Sequence, residues 1–231
     1  MIHFQQVTLE NCHTATGVVV VIDVLRAFTT AAYAFKAGAE NIILTETVNE
    51  ALTLRQRIPN ALAMGEEHGL PVKGFDFNNS PSQLIEQNFR HNQLIQRTSA
   101  GTQGVVRSRR AGALFAASFV CAEATARAIQ RLAPEHVTFV VTGVIYDRDG
   151  DEDRACADYL TARLRGEQPD SAPFIERIYN SDAGQIFVNS THPEHPYADL
   201  QRCAEIDRFN FAMQVKQQNG CLVLEKVKVY P

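Results

Sequence analysis

The sequence predicts an α/β fold, a three-layer α/β/α arrangement on a mostly parallel or mixed sheet. Three observations carry that expectation. Val18–Ile22 is a continuous β-branched run without polar alternation, the pattern of a strand buried on both faces of a parallel sheet. Short apolar runs then alternate with amphipathic stretches, the order of repeated strand–helix units. The chain has 231 residues, 45% of them hydrophobic and 21% charged, an ordinary globular balance with enough apolar material for a substantial core.

The elements follow in order. Asp23 ends the first strand, and Ala27–Lys36 reads as a helix closed by Gly38. Residues 41–44 read as a strand. A helix over 47–57 follows, with Thr47 as N-cap and Glu50 completing a capping box. Residues 61–64 make a third short strand. The stretch 65–81 holds Gly65, Gly69, Pro71, Gly74, Asn78, Asn79 and Pro81, so it reads as a long loop, and loops of that length are often functional. A helix is expected over 82–88, a strand over 94–98 and a helix over 103–110. Next come a strand over 113–116, an Ala-rich helix over 122–132 and a strong strand over 137–142. Asp151–Leu164 reads as a helix with acids in its first turn, where the helix dipole favours them. From Gly166 the pattern weakens. Residues 180–184 read as loop, and 222–230 as a late edge strand. The whole of 1–231 reads as one domain. Similar element order over 16–90 and 92–166 leaves open two similar halves, 1–91 and 92–231, with the active site between them.

Charge and cysteines narrow the class. Net charge is -4, from 22 basic and 26 acidic residues, which speaks against a nucleic-acid binder. Cys12, Cys121, Cys156, Cys203 and Cys221 form no C-x-x-C pair and are odd in number, so reduced thiols in a cytoplasmic protein are expected. The N-terminus has no basic region ahead of an apolar stretch, and Val18–Ile22 is far too short to span a membrane. Neither export nor a membrane partner is expected. A homodimer is left open.

Several segments are candidates for chemistry. Asp23 follows a buried-type strand, where ligands of open α/β sheets bind, and Arg26 sits one turn later; the plain alternative is an N-cap and a solvated arginine. Gly65-Glu66-Glu67-His68-Gly69 places two carboxylates and an imidazole after another strand, and by itself reads as an acidic turn. Lys73-Gly74-Phe75-Asp76-Phe77-Asn78-Asn79-Ser80-Pro81 breaks every period, with two aromatics in a Gly-flanked loop. Ser99-Ala100-Gly101-Thr102 lies between strand and helix, where small residues leave amides free to face an anion; a capped tight turn is the alternative. No Walker lysine is present, and neither G-x-G-x-x-G nor G-x-S-x-G occurs. The acids from Asp147 to Asp153 do not fit a calcium loop, because the glycine and the terminal Glu are misplaced. His192 and His195 lack the further ligands of a zinc site.

In order along the chain, these segments resemble the 2-phosphosulfolactate phosphatase family. The resemblance rests on Val19 to Ala27 (Val-Val-Val-Ile-Asp-Val-Leu-Arg-Ala), Gly65-Glu66, Gly74-Phe75-Asp76, Asn79-Ser80-Pro81, Gly101-Thr102, Glu152-Asp153 and Asp207-Arg208-Phe209. Three positions depart from the family's usual pattern. Ala100 replaces an Asn, Glu67 an Arg and Asn78 a Gly. Exchanging Arg for Glu removes a contact to a polyanion, which bears on the substrate more than on the reaction type.

The resemblance implies a Mg²⁺-dependent acid phosphatase that converts 2-phosphosulfolactate to sulfolactate and phosphate, a step of coenzyme M synthesis. It implies Asp23, Glu66, Asp76, Glu152 and Asp153 as catalytic acids, with Asp23, Glu66, Asp76 and Glu152 as metal ligands. Arg26, Asn79, Ser80, Ser99, Gly101 and Thr102 are then the substrate and phosphate contacts. Such hydrolysis needs charge neutralised on the transferring phosphoryl group, and acids at strand ends suit Mg²⁺ and an oriented water. Two other classes stay open: a hydrolase or isomerase acting on a different small anion, and a noncatalytic anion-binding protein.

Overall fold

In the computed structural model, which describes residues 2–229, the chain forms one mixed sheet with helices on both faces. The strands are β1 (His3–Thr8), β2 (Val18–Ile22), β3 (Ile42–Leu44), β4 (Leu62–Gly65), β5 (Phe77–Asn78), β6 (Leu94–Arg97), β7 (Ala113–Ala117), β8 (His136–Val141), β9 (Phe211–Gln218) and β10 (Cys221–Lys228). The helices are α1 (Ala27–Lys36), α2 (Val48–Arg57), α3 (Gly101–Arg107), α4 (Ala122–Gln130), α5 (Asp151–Leu164), α6 (Ala172–Asn180), α7 (Asp182–Asn189) and α8 (Tyr197–Cys203).

The sheet order is β1-β8-β2-β7-β9-β10-β3-β6-β4-β5. It consists of two parallel blocks, β1-β8-β2-β7 and β3-β6-β4-β5, joined by the antiparallel hairpin β9-β10. Three antiparallel pairings separate β7 from β3, so the blocks run in opposite directions along the sheet. The sheet curls. One core cluster takes Val19 and Val21 of β2 together with Ile42, Leu44, Met64 and Leu94 of the other block, around α1.

Period-two alternation sorts the remaining core. Val18, Val20 and Ile22 of β2 face the opposite way and pack with Ile129 of α4 and Leu160 of α5. On that same face, Ile43, Ile95 and Val223 meet Ala51 of α2. The arrangement is therefore α/β/α, with α1 and α3 on one side and α2, α4 and α5 on the other. Burying each valine or isoleucine of β2 contributes roughly 1.5–3 kcal/mol, and the run is sealed between the two helix layers.

Most expected elements are present, with shifted ends. The Thr47 hydroxyl accepts from the Glu50 amide at 3.1 Å, while the Glu50 carboxylate reaches back to the amide of Glu46 rather than Thr47. The expected helix over 82–88 shrinks to a single 3-10 turn, Ser82–Leu84, whose first amide is held by Asp199. Helix α3 begins earlier than expected, at Gly101, since Thr98 and Thr102 bond each other's backbone across its first turn. The tail from Gly166 is regular, with α6, α7 and α8 ahead of the β9-β10 hairpin, and only Ser181 of the expected loop at 180–184 lies outside α6 and α7.

β10 is not an edge strand. Leu222 to Leu224 pair with β3 on one side and β9 on the other. The charged half, Glu225 to Lys228, pairs with β9 alone, which is why its composition resembles an edge. Tyr230, the expected end of this strand, lies outside the described residues. All five thiols are free. Among the described residues no helix is long and apolar enough to cross a membrane.

Candidate active site

The curl of the sheet brings the carboxyl ends of both blocks together. β2 leads into Asp23, β4 into Glu66, and β6 through Thr98 into Ser99 and Gly101. Gln96 Nε2 donates to the Ala27 carbonyl at 2.8 Å, tying β6 to the start of α1. A cavity of about 480 Å³ opens there, lined by Asp23, Arg26, Glu66, Asn79 and Ser99 among others.

Asp23 is fixed by its surroundings. Oδ1 accepts from the Ala27 amide at 2.9 Å, and the Gly101 backbone lies against the carboxyl group. Gly101 is required by contact. A Cβ there would lie 2.7 Å from both Asp23 Oδ2 and Ala27 Cβ. Burial raises the Asp23 pKa to about 6, Glu66 adds to the rise, and the Ala27 amide opposes it.

Glu152 and Asp153 enter from the first turn of α5, behind Asp23. Burial pushes Glu152 up to about 7, with Asp23 and Asp149 contributing. Its Oε2 is buried without a hydrogen-bond partner. Asp153 is also raised by burial, then by Glu152 and Asp23. Its oxygens are occupied by the Val24 amide at 2.8 Å, the Thr142 amide at 3.0 Å and the Gly143 amide at 2.7 Å. Asp153 thus clamps the ends of β2 and β8 and has no face toward the cavity.

Glu66 is aimed by Gly65, whose φ of +134° and close approach to the Arg97 carbonyl exclude any side chain. Both Glu66 oxygens are taken. Oε1 accepts from the Ser99 amide at 2.5 Å, and Oε2 from the Gly69 amide at 2.6 Å and Ser99 Oγ at 3.0 Å. Ser99 is therefore the partner of Glu66.

Six expected site residues do not line the cavity: Glu152, Asp153 and Gly101, which stand behind Asp23, and Asp76, Ser80 and Thr102. Asp76 is gripped by Arg55, Nε at 2.7 Å and Nη2 at 2.6 Å, and also takes the Ala63 amide at 2.8 Å. The Arg55 hydrogen bonds lead in holding its carboxyl below the usual range. Ser80 is wholly buried and donates to Asp199 at 2.8 Å. Thr102 is wholly buried, and its amide is spent on Thr98 Oγ1 at 3.0 Å. Two amides of the expected anion cradle, those of Ser99 and Thr102, are thus committed to the protein's own oxygens, Glu66 Oε1 and Thr98 Oγ1.

The positive side of the cavity comes from elsewhere. Arg26 is 4% exposed, pairs with Asp199 at 2.6 Å and lies 5.0 Å from the centre of the Phe187 ring. Asn79 is also nearly buried, and its Oδ1 has no partner. Tyr146, Arg148 and Phe187, which no sequence motif marks, line the cavity as well, as does His195, set aside above as a zinc ligand. Tyr146 stands across the mouth, 2.9 Å from His68 Nδ1. Burial lowers the His195 pKa, and Arg26 lowers it further. Asp207, from the late resembling segment, sits apart from this cavity and anchors α4 by accepting from the Glu123 amide and the Tyr159 hydroxyl, both at 2.6 Å. Among the described residues no three Asp, Glu, His or Cys side chains group closely enough to form a complete metal cage.

Comparison with known proteins agrees over nearly the full length. The family model described as 2-phosphosulpholactate phosphatase matches residues 3–218. A Bacillus subtilis (strain 168) protein named "Probable 2-phosphosulfolactate phosphatase" is 35% identical over 209 residues, covering 90% of this chain and 91% of its own. A protein of the same name from Carboxydothermus hydrogenoformans is 32% identical over 222 residues, covering 92% of each chain. One from Thermosynechococcus vestitus is 31% identical, over 81% of this chain and 84% of its own. The chain belongs to the 2-phosphosulfolactate phosphatase family, a family of phosphoric monoester hydrolases.

Proposed function

We propose that this protein hydrolyses the phosphate monoester of a small anionic hydroxy acid, 2-phosphosulfolactate or a close relative, to the alcohol and inorganic phosphate. The observation that carries the reading is that Asp23 and Arg26 line one cavity. A guanidinium neutralises charge on phosphoryl oxygens, and a carboxyl whose pKa is raised to about 6 exchanges protons near neutrality.

In this reading Arg26 takes the phosphoryl oxygens and Asp23 faces the attacking water. The water oxygen forms a bond to phosphorus as the ester P–O bond breaks. Asp23 accepts the water's proton, which then goes to the leaving alkoxide. Glu66 holds the Ser99 and Gly69 amides so that the wall keeps its shape.

The donor set fits Mg²⁺. Hard oxygens suit that ion, which keeps several waters and needs only one or two carboxylates. Asp23 and Glu152 repel each other, and Glu152 Oε2 and Asn79 Oδ1 are buried oxygens without partners. Asp23 and Asn79, which line the cavity, would hold the ion, with Glu152 behind Asp23 adding negative charge, while Asp76, bound to Arg55, and Glu66, already saturated, would not. Bound there, Mg²⁺ supplies positive charge against the phosphoryl oxygens.

The test is phosphate release from a panel of small phosphate esters that includes 2-phosphosulfolactate, with EDTA and with Mg²⁺. Release is expected with Mg²⁺ and not with EDTA. Full activity in a verified metal-free preparation would remove the metal from the reading. No release from any ester would leave a noncatalytic anion binder.

A further inference from the structure

Helix α8 carries an acid that no sequence motif marks. Asp199 is fully buried. Its Oδ2 takes Arg26 Nη1 at 2.6 Å, and its Oδ1 takes Ser80 Oγ at 2.8 Å and the Ser82 amide at 2.9 Å. One carboxylate thus joins the turn after β2, the loop after β5 and the tail helix.

A buried ion pair is weak evidence for stability, because the cost of taking both charges out of water offsets their attraction. A fixed guanidinium is what the pair does provide. Nη1 of Arg26 also donates to the Glu194 carbonyl at 2.9 Å, and the Phe187 ring covers the group. The arginine is therefore held on several sides while it lines the cavity beside Asp23. Positioning of that kind is what phosphoryl transfer demands, since misplacing a charge by an ångström forfeits much of its effect.

We propose that Asp199 is a positioning residue for the reaction, orienting Arg26 toward the phosphoryl oxygens without itself touching the ester. The proposal rests on the phosphatase reading above. It also explains why Ser80, which sits in a segment resembling the family, points away from the cavity: its hydroxyl completes the shell of Asp199. The tail helices then belong to the site through Asp199, Glu194 and Phe187, three residues drawn from α8, the preceding loop and α7.

The test compares the full-length protein with Asp199→Asn, Arg26→Ala and the double variant. Each is read for kcat and KM of phosphate release and for affinity toward inorganic phosphate by calorimetry. Asp199→Asn is expected to lower kcat/KM at least about tenfold, mainly through kcat. It is also expected to weaken phosphate binding several-fold. In the Arg26→Ala background the same substitution changes neither quantity by more than about twofold, because the arginine it acts through is gone. Asp199→Glu keeps the charge, so it retains more activity than Asp199→Asn, and it replaces that variant in the cycle should Asp199→Asn fail to fold. Wild-type kcat/KM in folded Asp199→Asn, or an equal loss in both backgrounds, would make Asp199 a structural residue only. Absence of turnover in the wild type would sink the phosphatase reading by itself, and the phosphate affinities would still decide the role of Asp199.

Discussion

Gly101 and Asp23 share a space that holds only one of their side chains: a Cβ on Gly101 would lie 2.7 Å from Asp23 Oδ2. The carboxyl is held from the other side by the Ala27 amide, which donates to Asp23 Oδ1 at 2.9 Å. The turn between β6 and α3 is therefore a mould for the acid of β2. Gly101→Ala should push Asp23 off its position while leaving the sheet intact. A displacement near one ångström costs roughly a hundredfold in rate, so kcat/KM should fall by about that factor. Kinetics together with a melting curve checks it. A variant that is folded and fully active would mean that Asp23 moves without consequence.

Asp23→Asn separates chemistry from stability. The amide keeps the shape and its oxygen still accepts from Ala27, but it takes no proton from water. We expect kcat/KM to drop at least about a hundredfold, roughly 2.7 kcal/mol of transition-state stabilisation. Stability should move the other way. The fold holds this carboxylate at a cost, since its pKa is raised to about 6 from 3.8, and a shift of that size corresponds to roughly 3 kcal/mol at most. Calorimetric melting at pH 8 in EDTA should show the variant at or above the wild-type Tm. A lower Tm with an unchanged rate would return Asp23 to a capping role.

The raised acids also set a pH dependence. Asp23 and Glu152 titrate near 6 and 7 when folded and lower when unfolded. Between those limits the folded state binds more protons than the unfolded one, so stability falls as pH rises. The contribution is fully present near pH 4 and gone above pH 7. Asp76 and Glu123 are lowered instead, and their contribution disappears only below the ordinary carboxylate range. The useful quantity is therefore the difference in Tm between Glu152→Gln and the wild type. In EDTA the variant's advantage should grow from pH 5 to pH 8. Mg²⁺ should shrink it at pH 8, because a cation between the acids replaces the missing proton. A difference independent of pH would mean that Glu152 is not protonated on folding.

The sequence made the parallel blocks legible where strands are sealed on both faces. Val18–Ile22 could hardly be anything else, and helix Asp151–Leu164 was marked by its acidic first turn. The hairpin was hidden. Phe211–Gln218 ends in Lys216, Gln217 and Gln218, and half of Cys221–Lys228 has a neighbour on one side only, so neither alternates cleanly. β1 was missed because it is an edge strand with only Val7 buried. Within the site, Asp23, Arg26 and Glu66 were legible because each follows a strand closely. Asp199 was not, since its importance comes from tertiary contacts to residues over a hundred positions away.

Asp76 provides the opposing control. It belongs to a segment that resembles the family, yet Arg55 binds both its oxygens and the Ala63 amide takes one as well. A carboxylate so occupied, and held below the usual range by that arginine, has no lone pair directed at the cavity that Asp23 lines. Its role is to fasten the loop after β4 to α2. Asp76→Asn should therefore lower Tm, because it breaks a bidentate pair and weakens the bond to a partly buried amide. It should leave kcat within about twofold and the Mg²⁺ requirement unchanged, since loss of a true metal ligand would raise that requirement by at least about tenfold. Arg55→Ala should do the same, as the other half of one clasp. Should Asp76→Asn instead stay as stable as the wild type and lose activity that excess Mg²⁺ restores, the carboxylate must leave Arg55 in the working enzyme, and the loop after β4 would then close on the substrate.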